Sequence, residues 1–271
     1  MKFIKLLGLI CLICFTFFYT EKIIDVSTSQ DEIMIQLKEI ESNYKIEPIN
    51  ATIQNDTIIP GNVGKYLDIE NSYKQMKKIG YFEESLISYK KIYPEISIYN
   101  NYDKYIISGN KSSKKVSLIY ILNNKKTLDN ILNIIKNKNI PISFFIDSSF
   151  LNNNINILTI LQNYETYNYG NNGIYTQDNL IITNNIINNK TSSNSIFCLF
   201  LTKNKESLSN CANTKMSSII PSITGNYNNI KNNIENGSII LINNTQELSN
   251  IIDHIKSKGY IISPLKDIIK E

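Results

Sequence analysis

The chain has 271 residues, of which 42% are hydrophobic and 19% are charged, with a formal net charge of +4. This length fits one medium α/β domain with a smaller additional region, and the composition is that of a globular protein. The lysines are scattered, arginine is absent, and no basic stripe alternates with aromatic residues, so we expect no binding to nucleic acid. Asparagine runs are abundant; we interpret them as the codon bias of an AT-rich genome and not as prion-like low complexity.

The N-terminal segment begins with two lysines, Lys2 and Lys5, and continues as an apolar run from Leu6 to Tyr19. This is the pattern of an export signal. No small-residue cleavage site follows, so we predict an uncleaved signal-anchor over residues 1–20 in preference to a cleaved signal peptide or a buried core helix. The two lysines predict that the N-terminus lies inside and the remaining chain outside the membrane.

Two short regions are expected to follow the anchor. Residues 21–45 are polar, with some helical periodicity, and are interpreted as a juxtamembrane stalk. Residues 46–110 are predicted to form a small N-terminal region with a glycine-containing turn, after which Asp68 begins an amphipathic helix that ends near Gly80. The apolar face of this helix contains Ile69, Tyr73 and Met76.

From residue 111 to residue 271, apolar strands alternate with amphipathic helices. The predicted strands cover residues 116–122, 141–147, 164–170, 195–201, 217–223 and 237–243, with a last one near residue 261. A helical pattern separates each strand from the next. Repeated β-α units with apolar strands predict a parallel sheet, and their number predicts an α/β barrel.

Four cysteines are present. Cys11 and Cys14 lie inside the predicted anchor, whereas Cys198 and Cys211 lie on the exported side, where a disulfide can form. Cys198 sits in an apolar strand and is interpreted as a buried thiol; a bridge between Cys198 and Cys211 is left open. No pair of C-x-x-C motifs occurs, which excludes a zinc site of that type.

Three stretches together resemble the polysaccharide deacetylase domain, also called the NodB homology domain or carbohydrate esterase family four. They are "VSLIYIL…IPISFFIDSSFL", "YETYNYGNNG" and "NGSIILINNTQELSNIIDHIKSKGYIISPLKDII". The segment "IIPGNVGKYLDIENSYKQMKKIGYF" is similar to the region ahead of this domain in membrane-anchored deacetylase-like proteins of spore-forming bacteria and their relatives. The resemblance implies a distorted barrel of the (β/α)7 type, as in glycoside hydrolases and deacetylases, over residues 111–271.

The resemblance also implies a chemistry that this sequence does not carry. The family hydrolyses acetyl groups of glycans with a divalent metal on an Asp-His-His set, an Asp base, an Arg that orients it and a late His acid. Here the base and first ligand fall on Ile121 and Leu122, the two His ligands on Tyr169 and Gly173, the Arg on or near Cys198 and the late His on Asn243. The chain contains one histidine, His254, so another alignment cannot supply the missing imidazoles. We predict no catalytic residue, no metal and no other cofactor, and interpret His254 as a surface or lightly buried helix residue.

Two acidic residues near the strand ends could form a cation site in place of the missing family site. Asp147 and Asp178 could hold a hard cation, although capping of helices or exposure to solvent is the favoured interpretation for both.

Tyrosines could line the former cleft and stack on sugar rings. The candidates for weak glycan binding are Tyr120, Tyr167 and Tyr169, together with Asp147, and Tyr164 and Tyr175 lie nearby in the sequence. The alternative is that these are ordinary core and surface tyrosines in a chain with 17 of them.

The expected function is that of a membrane-anchored, extracytoplasmic protein with a deacetylase-like fold and no hydrolytic activity. It would bind cell-wall glycan or an envelope protein as a binding or scaffolding module. Two alternatives remain open: a divergent metal-dependent carbohydrate N-deacetylase that uses unrecognised residues, and a purely structural envelope protein.

Overall fold

The computed structural model describes residues 2–271, with the side chains of residues 2–9, 11, 21, 24 and 25 left out. The chain forms two compact units: one contains the residues up to Pro48 and Val63–Tyr93, and the other contains Ile49–Asn62 and Pro94–Glu271. The units do not follow the predicted boundaries at residues 45 and 110. The reason is that Thr57 and Ile58 pair with Tyr105 and Ile106 in a parallel ladder, which joins residues 49–62 to the larger unit.

The predicted anchor lies in the first helix, α1 (Lys2–Ser29), which continues through part of the predicted stalk. Among the described residues, no helix has the length and apolar character needed to cross a membrane. The apolar run from Leu6 to Tyr19 is shorter than the about 20 residues that a spanning helix requires. The prediction of a signal-anchor therefore gains no support from the structure, and Met1 lies outside the described residues.

The rest of the smaller unit packs around a short amphipathic helix. It contains α2 (Glu32–Ile40), β3 (Gly64–Leu67), α3 (Ile69–Ile79) and β4 (Tyr89–Ile92), with β3 and β4 antiparallel. The predicted helix is confirmed at both ends: Asp68 accepts a hydrogen bond from the backbone of Asn71 at 3.1 Å, and Gly80 takes the left-handed conformation that ends a helix. The buried core of this unit consists of Ile33, Leu37, Leu67 and Met76.

The larger unit contains eleven strands and eight helices among the described residues. The strands are β1 (Thr52–Gln54), β2 (Thr57–Ile59), β5 (Tyr105–Ile106), β6 (Lys115–Leu122), β7 (Ser143–Ile146), β8 (Thr166–Asn168), β9 (Phe197–Leu199), β10 (Ser217–Ile219), β11 (Ile223–Gly225), β12 (Ile239–Ile242) and β13 (Ile261–Ile262). The helices are α4 (Leu128–Lys138), α5 (Ser148–Asn153), α6 (Ile157–Ile160), α7 (Gln177–Lys190), α8 (Lys205–Asn213), α9 (Tyr227–Asn233), α10 (Leu248–Ser257) and α11 (Leu265–Ile269).

These strands form two sheets. One has the order β11-β12-β6-β7-β8 with β13 also paired to β6, and the other has the order β1-β2-β5-β10-β9. Strands β6 to β12 follow one another in chain order around a barrel, and every ladder between them is parallel. Within the described residues, no ladder joins β8 to β9 or β10 to β11, so the barrel is open at two seams. This matches the predicted distorted barrel with about seven strands.

One predicted strand is split and one predicted helix is short. The segment 217–223 was expected to be a single strand, but it contains β10 and the start of β11, which belong to different sheets. Pro221 lies between them and has no N–H to donate to a ladder. The helical pattern expected between the strands 141–147 and 164–170 forms the short α6, and a helix that the pattern did not indicate, α5, precedes it.

Side chains of β6 alternate between two apolar layers. Val116, Leu118 and Leu122 belong to the layer between the sheet and its helices, and Ile119 packs in the barrel interior. This alternation is expected because successive residues of a strand point to opposite faces of the sheet. The alternation therefore separates the side chains that face the barrel interior from those that pack only against the helices.

Candidate functional site

The carboxyl ends of β6, β7 and β8 lie side by side. Leu122 pairs with Ile146, and Ile146 pairs with Asn168. In an α/β fold this edge is where ligands and catalytic groups are placed. The loop of residues 169–175 follows directly from β8 at this edge.

The positions that the family resemblance assigns to the base and first ligand carry apolar side chains, and these pack against neighbouring apolar residues. Leu122 is fully buried in the layer beneath the helices, and Ile121 packs against the interior of the barrel. Asn243 follows β12 and is exposed. An aliphatic side chain has no lone pair to bind a metal and no proton to transfer, so two of the required functions are missing at this edge.

The loop that would carry the two histidine ligands is held by its backbone. The N–H of Tyr169 donates to the carbonyl of Ile146 at 2.8 Å, and the N–H of Gly173 donates to the carbonyl of Tyr169 at 3.1 Å. Gly173 has a φ of 78°, a conformation that side-chain-bearing residues rarely take. A Cβ at this position would lie 3.2 Å from the hydroxyl of Tyr169. The Tyr169 ring therefore closes over the space beside Gly173.

The carboxylate of Asp147 is engaged by backbone groups. Oδ1 accepts hydrogen bonds from the N–H groups of Ser149 at 2.9 Å and Phe150 at 3.0 Å, which caps α5. Oδ2 accepts from the N–H of Asn172 at 2.8 Å and ties the 169–175 loop to this cap. Asp178 is exposed in the first turn of α7. The structure therefore confirms the capping interpretation for Asp147 and gives no sign of a shared cation site with Asp178.

Behind the loop lies a buried polar network that the sequence did not reveal. Asn168 is fully buried, and its Oδ1 accepts from the hydroxyl of Ser148 at 3.1 Å and from the N–H of Gly170 at 2.7 Å. Ser148 also reaches Asn179 at 2.8 Å, and Asn179 contacts Thr183 at 2.9 Å. All of these groups are neutral amides and hydroxyls, so the network can rigidify the loop but cannot transfer protons near neutral pH.

The tyrosines predicted to stack on sugars are mostly in the core. Tyr167 is 2% exposed, and Tyr120 and Tyr169 are each 8% exposed. The hydroxyl of Tyr120 pairs with Thr127 at 2.9 Å. Burial, with the nearby carboxylate of Glu165, raises the pKa of Tyr167, so its hydroxyl stays neutral. The structure thus presents no exposed ring platform at these three positions, which corrects the prediction of a tyrosine-lined glycan site.

Cys198 forms a disulfide with Cys211, with 6.5 Å between the two Cα atoms. The interpretation of Cys198 as a free buried thiol is therefore wrong. The bridge joins β9 to α8, and both cysteines are fully buried. The family position for an arginine is thus occupied by a covalent link.

His254 lies on α10, half-buried and remote in the sequence from the strand ends just described. Its ring packs edge-on against Tyr227 with 5.6 Å between ring centroids. Burial lowers the pKa of His254, and the neighbouring Lys258 and Lys231 act in the same direction. This confirms the interpretation of a lightly buried helix residue.

Comparisons with known proteins bear on the fold. No family model matches the chain. An uncharacterized protein of Bacillus subtilis (strain 168), YlxY, is 28% identical over 136 residues, which are 49% of this chain and 43% of that protein. The match thus spans less than half the length of this relative.

Solved structures match more of the chain. Wild-type BA3943, described as a CE4 family pseudoenzyme from Bacillus anthracis, has a TM-score of 0.65 at 21% identity, covering 89% of this chain and 96% of that chain. PdaA from Bacillus subtilis, a family 4 carbohydrate esterase, has a TM-score of 0.52 at 15% identity, covering 82% of this chain and 97% of that one. This chain has the family 4 carbohydrate esterase fold. The resemblance read from the sequence is confirmed at the level of the fold.

The residues at the barrel mouth do not fit the metal that the family 4 esterases use. Within the described part of the chain, no group of three or more His, Cys, Asp or Glu residues is placed to hold a metal ion. The acidic side chain at the carboxyl end of β7, Asp147, already accepts three backbone hydrogen bonds. The family 4 fold is therefore retained here without a donor set suited to its chemistry.

Proposed function

We propose that this protein is a non-catalytic member of the family 4 esterases that binds or scaffolds glycan in the cell envelope. One observation carries the proposal: the strand ends that would hold the metal, base and acid present Ile121, Leu122, Tyr169, Gly173 and Asn243 on an otherwise intact fold. Hydrolysis of an acetyl group needs a polarised carbonyl, an activated water and a proton donor. None of these five side chains is a carboxylate or an imidazole, so the groups that hold the metal and act as base and acid in the family are missing.

An extracytoplasmic location forms part of the proposal. The apolar run after Lys2 and Lys5 has the composition of an export signal. The Cys198–Cys211 disulfide agrees with an oxidising compartment. Contact with a membrane through α1 stays a prediction, and fractionation of cell extracts with an antibody to the full chain would test it.

The glycan to test first is peptidoglycan. A protein of similar fold, Bc1960, is described as a peptidoglycan N-acetylglucosamine deacetylase, with a TM-score of 0.53 at 19% identity. A non-catalytic relative that kept the same compartment would meet the same polymer. An envelope protein is the second partner to consider.

The proposal is tested by one assay on the purified full chain, kept in mild detergent because α1 exposes apolar side chains such as Phe15 and Phe17. Acetate release from peptidoglycan and chitin oligomers is measured together with bound zinc, cobalt and nickel. The family 4 carbohydrate esterase from Bacillus anthracis serves as the active control. We expect no acetate above the blank and less than one metal per ten chains. Acetate release that a chelator abolishes would instead establish the divergent deacetylase.

A further inference from the structure

A cleft of about 530 Å³ opens at the amino ends of β7, β8 and β9. Its walls come from the segments just before these strands, residues 139–142, 163–165 and 192–196, and from Pro264 and Lys266 after β13. Because the strands are parallel, this edge is opposite the degenerate mouth of the barrel. The volume lies within the range of about 300–1,000 Å³ typical of small-molecule sites.

A buried carboxylate lies in this cleft with one oxygen unused. Oε2 of Glu165 accepts hydrogen bonds from the hydroxyl of Ser143 at 2.6 Å and from the N–H of Leu265 at 2.9 Å. Oε1 is buried and accepts no hydrogen bond from the described residues, although the protonated hydroxyl of Tyr167 lies near the same carboxylate. The ammonium of Lys266 is 3.8 Å away, which is a weak ion pair. A buried carboxylate oxygen without a donor is unfavourable, so a bound hydroxyl donor would stabilise it.

The remaining lining offers both hydrogen-bond donors and acceptors, together with one apolar surface. Lys266 offers a mostly exposed donor, and Asn163 and Asn194 offer exposed amides that both donate and accept. Tyr164 is half-buried, with its ring held edge-on against Phe144 at 5.9 Å. One carboxylate and one ammonium cancel in charge. A ligand that matches this lining is uncharged, carries several hydroxyl groups and has an apolar ring face.

We propose that this cleft at the amino ends of the strands binds a small saccharide unit of the envelope glycan. The proposal rests on the proposed function and places the binding site away from the former catalytic mouth. A sugar hydroxyl donates to the partly exposed carboxylate of Glu165, and another hydroxyl accepts from Nζ of Lys266. The pyranose ring lies against Tyr164.

The test measures retention of the full chain on insoluble peptidoglycan stripped of anionic polymers, as an apparent Kd from a depletion isotherm. Glu165→Gln keeps an oxygen for the Leu265 N–H but removes the charge, and Lys266→Ala removes the donor. We expect each to raise the Kd about tenfold, as for loss of a hydrogen bond to a charged group. Asn194→Trp fills the cleft and should abolish retention.

Matched controls are Glu206→Gln and Lys190→Ala, which make the same charge changes at exposed sites on α8 and α7. Non-specific adsorption of a basic protein would be strengthened by Glu165→Gln, whereas binding in the cleft is weakened by it. Unfolding midpoints report whether each variant is folded. If Glu165→Gln unfolds the protein, the two exposed variants, Lys266→Ala and Asn194→Trp, decide the result.

Two outcomes overturn the inference in different ways. Retention of wild type that all three cleft variants preserve would reject the cleft and leave the proposed glycan binding intact. Absence of retention of wild type would reject glycan binding itself, and the cleft with it.

Discussion

At the scale of single residues, the former active edge shows how a polar side chain can serve structure instead of chemistry. Asp147 lies at the end of β7, where a carboxylate could act on a substrate, and is 5% exposed. Its two oxygens accept three backbone N–H groups, from Ser149, Phe150 and Asn172. The side chain thus fixes the start of α5 and the 169–175 loop together.

Replacing this carboxylate should lower the stability of the protein and should not change metal binding. Asp147→Ala leaves three N–H groups without their acceptor, and we expect the free energy of unfolding to fall by about 2–3 kcal/mol. The matched control Asp178→Ala removes an exposed carboxylate from the first turn of α7 and should cost no more than about 1 kcal/mol. Urea unfolding with and without divalent cations measures both. Stabilisation by a cation that either substitution removes would contradict the capping role.

At the scale of elements, the seam between β8 and β9 is closed by side chains. The hydroxyl of Ser193 accepts from the N–H of Thr166 at 2.8 Å. The hydroxyl of Tyr175 accepts from the N–H of Leu199 at 2.7 Å, and it lies 3.0 Å from the carbonyl of Leu199 and 3.2 Å from the carbonyl of Asn168. Burial raises the pKa of Tyr175 well above its usual value, so this hydroxyl stays protonated and can donate. These contacts take the place of a ladder that the two strands do not form.

Removing this one hydroxyl should weaken the seam. Tyr175→Phe removes the acceptor of the buried Leu199 N–H and the hydroxyl beside the Asn168 carbonyl, and we expect a loss of about 1–3 kcal/mol in the free energy of unfolding. Tyr81→Phe, at a ring that is 59% exposed, is the control and should change stability by less than about 0.5 kcal/mol. Chemical denaturation provides the measurement. Equal effects of the two substitutions would show that Tyr175 does not bridge the strands.

The disulfide acts on the same part of the barrel. It closes a short loop with a sequence separation of 13 residues between Cys198 and Cys211. The double variant Cys198→Ala, Cys211→Ala should lose about 3 kcal/mol, and reduction of the wild type should lower its unfolding midpoint similarly. Reductant should leave the double variant unaffected. Two free thiols in the native protein, detected by alkylation and mass spectrometry, would refute the bridge.

At the scale of the whole molecule, titration near neutral pH depends on very few groups. The chain has 24 acidic residues, 28 lysines and one histidine, so His254 is the side chain whose ordinary pKa lies between the two large sets. Burial lowers the pKa of His254 in the folded protein. The unfolded chain therefore binds a proton at a higher pH than the folded chain does.

The free energy of unfolding should fall as the pH is lowered from about 7 to about 5.5. Above about pH 7 both states are neutral at His254 and stability is flat; from about pH 6.5 downward the unfolded state gains the proton first, which favours unfolding. We expect the urea midpoint to decrease between pH 7 and pH 5.5 in the wild type. His254→Gln should remove most of this decrease. An unchanged slope in the variant would assign the effect to other groups.

Local patterns in the sequence predicted most of the strands and helices from β6 to β13, and the ends of α3. Periodicity and the residues at helix ends act over a few positions, so Asp68 and Gly80 specify that helix without help from distant residues. The loss of the metal ligands was also readable, because one histidine cannot supply three imidazoles. The resemblance in the sequence thus indicated the family 4 fold, and the residues themselves showed that its histidines are absent.

Only the tertiary structure decided which side chains meet. The pairing of Cys198 with Cys211, the burial of Tyr167 and the three contacts of Asp147 depend on elements brought together by the barrel. The cleft around Glu165 is formed by segments that lie far apart along the chain, joined because parallel strands place their amino ends at one edge. Such contacts follow from the packing of the sheets against each other, which no local pattern in the sequence encodes.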